Sequence, residues 1–233
     1  TDDVTGLIWQ QQDDNAKYNW YEASGTFHAD NPGNTDVCGA LNTAEYAGYT
    51  DWGLPTKKEL VSILDLGRDD PAIHTTAFPR TNSSLYWTST LFLGNPVDVA
   101  WSVDFMTGGA FFWPKTPSGA NDIVYVRCVR GQGSSGTLID NGDFTVTDIK
   151  TDLMWQQTGG GTMDWVSALA ACEGLTLPLA GYTDWRLPNL KELESLTDDG
   201  SYYNPVLSPI YFPSAVNALY WSFSSEHSQP SNA

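Results

Sequence analysis

The sequence is poor in basic residues and contains no long apolar run. Eleven lysines and arginines face 28 aspartates and glutamates among 233 residues, which gives a formal net charge of −17. Such a chain is repelled at long range by polyanions, so nucleic acid is not expected as a partner. No stretch approaches the roughly 18 apolar residues of a membrane-spanning helix, so direct membrane insertion is not expected either.

Long helix-forming runs are also scarce, since the chain contains 21 glycines and 13 prolines. Hydrophobic residues make up 41% of the sequence and aromatic residues 13%, which is enough to build a packed core. This composition favours short strands and structured loops over a helical bundle.

What the chain does contain is an internal repeat. The phrase AGYTDWGLPTKKEL at 47–60 returns as AGYTDWRLPNLKEL at 180–193, with eleven of fourteen positions identical. Further blocks pair in the same order, and the shift between the paired blocks stays between 133 and 146 residues. The difference is absorbed by an insert, FHADNPGNTDV at 27–37, that only the first copy carries. The preserved order indicates a duplicated domain.

The repeat sets the predicted domain boundaries. We expect one domain at 1–130 and a second at 138–233, joined by a Gly/Ser linker, GQGSSGT, at 131–137. The linker formally contains G-x-G-x-x-G. The residues that follow it cannot begin a helix, so a dinucleotide site is not expected.

Each copy carries the signals of two short helices. A capping box, Thr56 with Glu59, precedes an apolar face in the first copy, and Asn189 with Glu192 does so in the second. An upstream helix is expected at NWYE in the first copy, where Asn19 and Glu22 have the same spacing, and its partner in the second copy is expected to begin at Thr162 or Asp164.

The tryptophans of the two GYTDW phrases, Trp52 and Trp185, are expected to be buried at equivalent places in the two cores. The rest of the chain is rich in β-branched and aromatic residues, as in TGLIWQQ, SLYWTST, VAWSVDF and IVYVRCVR, and predicts strands. The sequence therefore predicts an α+β fold of two tandem domains, each with two short helices and a small, mainly antiparallel sheet.

Taken together, the motifs resemble the Lcl C-terminal domain family, named for the C-terminal domain of the Legionella collagen-like protein. The resemblance covers essentially all of both copies. It rests on DNGDFTVTDIKTDLMWQQ, a helix tryptophan, a cysteine, AGYTDWRLPNLKEL, YWS and a final VRCVR. It implies a fold related to C-type lectins and to the formylglycine-generating sulfatase-modifying enzymes, and hence two tandem C-type-lectin-like domains.

The resemblance also implies an extracellular or bacterial cell-surface location and a role in binding or adhesion. The family's named member is associated with glycosaminoglycans. The net charge of −17 argues against a polyanionic ligand for this chain.

The two copies differ at their ends. The second opens with LIDNGDFTV before its TD, and it has no counterpart of VAWSVDF and IVYVRCVR. The second domain is therefore expected to be incomplete at its C-terminal end. Two alternatives stay open: the chain is a fragment of a longer surface protein, or a neighbouring molecule fills the open edge head-to-tail, which allows self-association.

The implied secreted location makes the three cysteines candidates for disulfides. Cys38 and Cys128 form an even pair within the first copy and are expected to be linked. Cys172 matches Cys38, but its partner would lie in the missing segment. It is therefore either a free thiol or bonded to another chain.

Catalytic motifs are scarce. The histidines, His28, His74 and His227, occur in no H-E-x-x-H motif, and the cysteines have no C-x-x-C spacing. His28 could serve Cys38 as a base, but the second copy has no matching histidine. We therefore expect neither enzymatic activity nor a resident cofactor.

A calcium ion is compatible with two acidic loops, GNPVD with Asn95 and Asp98, and SGANDI with Asn121 and Asp122. Neither loop reproduces the sugar-binding tripeptides of calcium-dependent lectins, so no metal ligands are assigned.

The region 91–122 is the most informative for binding, because FFWP lies at its middle. Neighbouring strand residues point to opposite faces, so Phe111, Phe112 and Trp113 cannot all point inward. An exposed aromatic ring beside asparagine and aspartate suits a sugar. The candidate ligand-binding residues are Asn95, Asp98, Trp101, Trp113, Asn121 and Asp122. Alternatively, the aromatic residues close an interface between copies or chains.

Two functions of different class follow. The first is a non-enzymatic extracellular or cell-surface binding module that recognises a glycan or a surface protein through these loops. The second is a structural subunit of an extracellular fibre, assembled by strand or disulfide exchange between chains.

Overall fold

A computed structural model describes residues 1–116, 118–119, 123–131, 138–177, 180–199 and 207–224. The chain divides into two compact units, Thr1–Gly133 (unit 1) and Ser134–Ala233 (unit 2). Apart from Gly131, the predicted linker falls outside the described residues.

Unit 1 combines short helices with short strands. Its helices are α1 Trp20–Ser24, α2 Val37–Thr43 and α3 Lys57–Ser62, with a 3₁₀ turn at Tyr46–Gly48. Its strands are β1 Ile8–Trp9, β2 Lys17–Tyr18, β3 Leu85–Leu91, β4 Val99–Asp104, β5 Ala110–Pro114, β6 Val124–Tyr125 and β7 Val129–Arg130. Five strands form one sheet in the order β2-β6-β3-β4-β5, and β1 pairs with β7. Every pair is antiparallel except β3 with β6.

The five-stranded sheet separates two apolar clusters. Tyr86 and Trp87 are neighbours on β3 and point to opposite faces, and both are completely buried. Tyr86 packs with α3 and Phe105 in one cluster. Trp87 packs with α1, α2 and Val124 in the other. The expected disulfide between Cys38 and Cys128 is present in this second cluster and joins α2 to the segment before β7.

Unit 2 has a smaller sheet and two helices within its described residues. Its elements are β8 Leu138–Asp140, β9 Thr145–Asp148, β10 Leu153–Gln156, α4 Trp165–Glu173 and α5 Leu190–Leu196. The strands are antiparallel in the order β10-β9-β8. Val146, Leu196 and Phe212 form the centre of its core. Few helices and small, mostly antiparallel sheets in both units confirm the predicted α+β fold class.

Local signals in the sequence act as predicted at the helix starts. Thr56 with Glu59 and Asn189 with Glu192 each form a complete capping box, so that two otherwise unpaired N–H groups are satisfied at each helix start. The TD motif also folds alike in both units. In each unit its aspartate accepts hydrogen bonds from the N–H group two residues on and from the threonine hydroxyl three residues on.

The described residues of unit 1 form three α-helices where two were expected, and the insert explains the difference. Gly25 ends α1 with a left-handed φ of +67°. After the insert, Asp36 caps α2 by accepting a hydrogen bond from the Gly39 N–H group at 2.8 Å. In unit 2, which lacks the insert, the single helix α4 carries both the tryptophan, Trp165, and the cysteine, Cys172.

The expectation that Trp52 and Trp185 are equally buried is wrong for Trp185. Trp52 is only 4% exposed, because the Asn42 side chain holds its backbone in place. The Asn42 amide oxygen accepts a hydrogen bond from the Trp52 backbone N–H at 2.6 Å, and the Asn42 amide nitrogen donates one to the Trp52 carbonyl at 2.9 Å. Thr176 occupies the matching position in unit 2, and its side chain has no amide group that could form this pair of hydrogen bonds. Trp185 is half-buried, and its indole donates to the nearby Tyr182 carbonyl at 3.2 Å.

The described helices are all short. None of those in the described ranges is both long and apolar enough to cross a membrane.

Candidate functional site

Three aromatic rings meet on one face of the unit 1 sheet, beside the β3–β4 turn. The Phe92 and Phe112 rings stack with centroids 4.7 Å apart and planes 19° apart. Trp101 meets Phe92 edge-on at 5.8 Å and Phe112 edge-on at 6.2 Å. We call Phe92, Trp101 and Phe112 the aromatic face.

Strand register places this cluster. Trp101 on β4 lies directly opposite Phe112 on β5, so the two side chains share a face of the sheet. β5 is the edge strand of the sheet, which leaves Phe112 57% exposed, whereas Phe92 and Trp101 are half-buried. The aromatic face is therefore fixed on its inner side and open to solvent on its outer side.

A buried lysine supports Trp101. Lys57 is buried, and its ammonium lies 4.5 Å from the centroid of the Trp101 ring, which is a cation–π distance. The Lys57 backbone N–H donates to the Thr90 hydroxyl at 2.9 Å, which fixes the start of α3 against the end of β3. Trp101 is thus held between α3 and β5.

The predicted polar residues Asn95 and Asp98 shape the turn next to the aromatic face. The Asn95 side-chain amide donates to an Asp98 carboxylate oxygen at 3.2 Å, and its carbonyl accepts from the Asp98 N–H at 3.3 Å. The Asn95 N–H donates to the Phe92 carbonyl at 2.9 Å, so the turn is continuous with the aromatic face. Both side chains are exposed.

Lys115 ties this turn to the helical side of unit 1. Its ammonium donates to the Pro96 carbonyl at 2.6 Å and lies 4.3 Å from the Trp20 ring centroid. Its backbone N–H donates to the Asp98 carbonyl at 2.7 Å. Burial lowers the pKa of Lys115, and the Asp98 charge acts in the opposite direction.

The two predicted tryptophans do not converge. Trp113 lies opposite Ala100 and packs into the cluster around Trp87, on the other side of the sheet from Trp101. Its indole N–H is buried and has no hydrogen-bond acceptor among the described residues. Of the FFWP residues, Phe111 and Phe112 are both exposed, at 48% and 57%, and they point to opposite faces.

The remaining predicted ligands lie elsewhere or are not described. Asn121 and Asp122 fall outside the described residues. Over the ranges that are described, no group of three or more His, Cys, Asp or Glu side chains is arranged to hold a metal ion.

Phe112 was not among the candidate ligand-binding residues, although the FFWP motif drew attention to its segment, and two further residues of the site were missed from the sequence altogether. Phe92 was missed because it stands one residue beyond β3, where a stacking partner is set by strand register. Lys57 was missed because its pattern indicates an ordinary exposed lysine in the first turn of a helix. Neither residue carries a motif that would reveal its position.

A polar cleft of about 430 Å³ also opens in unit 1, lined by Gln12, Asp13, Asp14, Asn15, Arg80, Thr81 and Asn82. Asp13, one of its lining residues, already forms hydrogen bonds and an ion pair within the fold. Asp13 accepts hydrogen bonds from the Tyr86 hydroxyl at 2.6 Å and from the Arg127 guanidinium at 3.2 Å, and the side chains of this ion pair are 3% and 0% exposed. Arg127 also donates to the Gln10 and Gln11 carbonyls, at 2.8 Å each.

In unit 2, Cys172 is a free thiol and is half-buried in α4. Burial raises the pKa of the Cys172 thiol, so less thiolate is present at a given pH than for an exposed cysteine. We expect iodoacetamide at pH 8 to alkylate Cys172 more slowly in the folded chain than in urea, as measured by mass spectrometry. Equal rates in the two conditions would contradict a buried thiol.

Comparison with known proteins gives one family match. A family model described as the Lcl C-terminal domain matches residues 1–130 and 144–233, a separate segment for each unit. No curated protein matches the chain.

Proposed function

The chain belongs to the Lcl C-terminal domain family, and from this membership we propose that it is a non-enzymatic binding or adhesion module that acts outside the cell or at the bacterial surface. Its ligand is a neutral glycan, bound by the aromatic face of unit 1. The observation that carries the proposal is the fixed group of three rings, Phe92, Trp101 and Phe112, open to solvent on one side.

Stacking is the main recognition chemistry of this proposal. The apolar face of a pyranose ring packs against an aromatic ring, and a ring already held in place loses little conformational entropy on binding. Phe112 is stacked on Phe92, and Trp101 is held by Lys57, so both rings are ordered before a ligand arrives.

Polar groups for the sugar hydroxyls lie next to the rings. The β3–β4 turn presents the exposed Asn95 amide and Asp98 carboxylate, whose mutual bond uses only part of their hydrogen-bonding capacity. The net charge of −17 favours a neutral sugar over a sulfated one. These residues orient a glycan, whereas the rings supply most of the contact area.

The test compares two phenylalanines on the same edge strand. Phe112→Ala removes one ring of the aromatic face and is expected to weaken glycan binding about tenfold, which corresponds to about 1.4 kcal/mol. Phe111→Ala is the matched control, because Phe111 is similarly exposed but points to the opposite face. Binding would be measured by tryptophan fluorescence titration of the full chain with neutral oligosaccharides.

The result separates the candidate uses of these aromatic residues. A loss confined to Phe112→Ala supports glycan binding at the aromatic face. Equal affinities for both variants and the parent would place the site elsewhere. If no oligosaccharide binds but Phe112→Ala breaks an association between chains, the aromatic face is a protein interface.

The second candidate function, a fibre subunit, is favoured by observations on unit 2. It contains the free thiol of Cys172 and several large exposed apolar side chains, among them Leu219 and Phe223. For this candidate, electron microscopy of the concentrated, oxidised chain should show regular fibres. The binding-module candidate instead predicts discrete particles.

A further inference from the structure

Residues 219–223 of unit 2, LYWSF, carry large apolar side chains that face solvent. Tyr220 and Trp221 are 46% and 41% exposed, and Leu219 and Phe223 are exposed as well. Their counterparts in unit 1, at a shift of 134 residues, begin β3, where Tyr86 and Trp87 are completely buried. The same sequence phrase is therefore covered in one unit and uncovered in the other.

Residues 219–223 nevertheless lie in the position of β3. The Trp221 indole donates to the Met163 carbonyl at 2.7 Å, as the Trp87 indole donates to the Tyr18 carbonyl at 2.9 Å. The Phe223 N–H donates to the carbonyl of a helix-entry proline at 2.7 Å, and so does the Ser89 N–H in unit 1.

Two further bonds repeat between the units. The Trp165 indole donates to the Ser222 carbonyl at 2.9 Å, matching Trp20 and the Thr88 carbonyl at 2.9 Å. The first N–H group of α5 donates to the Ser224 hydroxyl at 3.1 Å, as the first N–H group of α3 does to the Thr90 hydroxyl at 2.9 Å. The repeated bonds show that the helices hold residues 219–224 in place from one side.

The two units differ in the strands that flank this segment. In unit 1, β3 is flanked on both edges, since Trp87 lies opposite Ser102 of β4 and Tyr86 opposite Tyr125 of β6. In unit 2, no strand within 138–177, 180–199 and 207–224 pairs with residues 219–223. Among the described residues, neither edge of residues 219–223 has a partner strand, and exposed aromatic rings lie beside these edges, which are the features of a strand-acceptor site.

Cys172 adds a second, independent feature. It corresponds to Cys38, which in unit 1 is linked to Cys128, between β6 and β7. Consider a segment that flanks residues 219–223 in the way that β4 and β6 flank β3. A cysteine at the position of Cys128 in that segment would lie next to Cys172.

We infer that residues 219–223 and Cys172 form a docking site for a cysteine-bearing strand segment of the same type as residues 99–128 of unit 1. The segment pairs with both edges of residues 219–223, covers Tyr220 and Trp221, and places its cysteine at Cys172. Oxidation then joins the two thiols in a disulfide, with loss of two protons and two electrons to an external oxidant such as molecular oxygen.

The site fits this segment better than it fits a second copy of itself. Two copies of residues 219–223 paired with each other would each cover one edge only, whereas β3 in unit 1 uses both. The corresponding strands of another copy's unit 1 are already packed in its core and held there by the disulfide.

The experiment supplies the segment directly. In an extended chain, residues 91–131 of unit 1 are appended after Ser224 in place of residues 225–233, because Thr90 corresponds to Ser224. After air oxidation, peptide mapping is expected to find Cys172 linked to the appended cysteine. Hydrogen–deuterium exchange at 219–223 is expected to slow at least about tenfold relative to the parent chain.

A control variant separates docking from the covalent bond. With serine in place of the appended cysteine, the slower exchange is expected to persist without the disulfide. The intact link between Cys38 and Cys128 reports that unit 1 has folded in every variant. If Cys172 stays reactive and residues 219–223 exchange as in the parent while unit 1 is intact, the inference is wrong.

Light scattering of the parent chain tests the alternative that a second copy of the chain occupies this site. We expect a monomer under reducing conditions. A dimer that Trp221→Asp abolishes would show that a second copy occupies the site and would overturn the inference.

Discussion

Replacing both Cys38 and Cys128 with alanine is expected to lower the free energy of unfolding of unit 1 by about 4 kcal/mol. The two cysteines are 90 residues apart, so their bond removes a large loop-closure entropy from the unfolded chain, and bonds across loops of this length contribute about 4–5 kcal/mol. Chemical denaturation read by hydrogen–deuterium exchange would follow the peptides of unit 1 separately from those of unit 2.

Cys172→Ala is the matched control for the disulfide. It removes a half-buried thiol that closes no loop within the chain, so the stability of unit 1 is expected to stay unchanged. A double variant as stable as the parent would mean that the disulfide adds nothing to the unit 1 fold.

Arg127→Met is expected to destabilise unit 1 by about 3–5 kcal/mol, because it leaves the buried Asp13 carboxylate without its counter-ion. The substitution also frees the Gln10 and Gln11 carbonyls, which Arg127 caps from within the core. The same denaturation experiment measures the loss.

Arg130→Met is the control for this change, three residues along the same segment. Arg130 pairs with Asp51 at 2.5 Å, but the Asp51 side chain is exposed, so losing this ion pair is expected to destabilise unit 1 much less than losing the buried pair of Arg127 and Asp13. Changing Asp13 to Asn together with Arg127→Met is expected to restore part of the loss, since no uncompensated charge then remains. Equal effects of the two arginine variants would contradict a buried ion pair.

Features that depend on neighbouring residues could be predicted from the sequence. Thr56 and Glu59 stand three residues apart, and that spacing alone is sufficient for the capping box found at α3. Repeated phrases likewise predicted two units of one family, and the family match supports that organisation.

Features that depend on distant partners could not be predicted. Trp52 and Trp185 stand in nearly identical phrases, but the burial of Trp52 depends on Asn42, ten residues away, and unit 2 has threonine at that place. The candidate site shows the same limit. Trp101 and Trp113 fall on opposite faces of the sheet, and only strand register brings Phe92 and Phe112 to Trp101.

The most direct test of glycan recognition is retention of the full chain on an array of immobilised glycans at low and high salt. The proposal expects retention on neutral oligosaccharides at both salt concentrations, because stacking on uncharged rings is little affected by salt. It expects no retention on sulfated glycans, which the net charge of −17 repels. Absence of retention on every neutral glycan, or retention only on sulfated glycans at low salt, would contradict it.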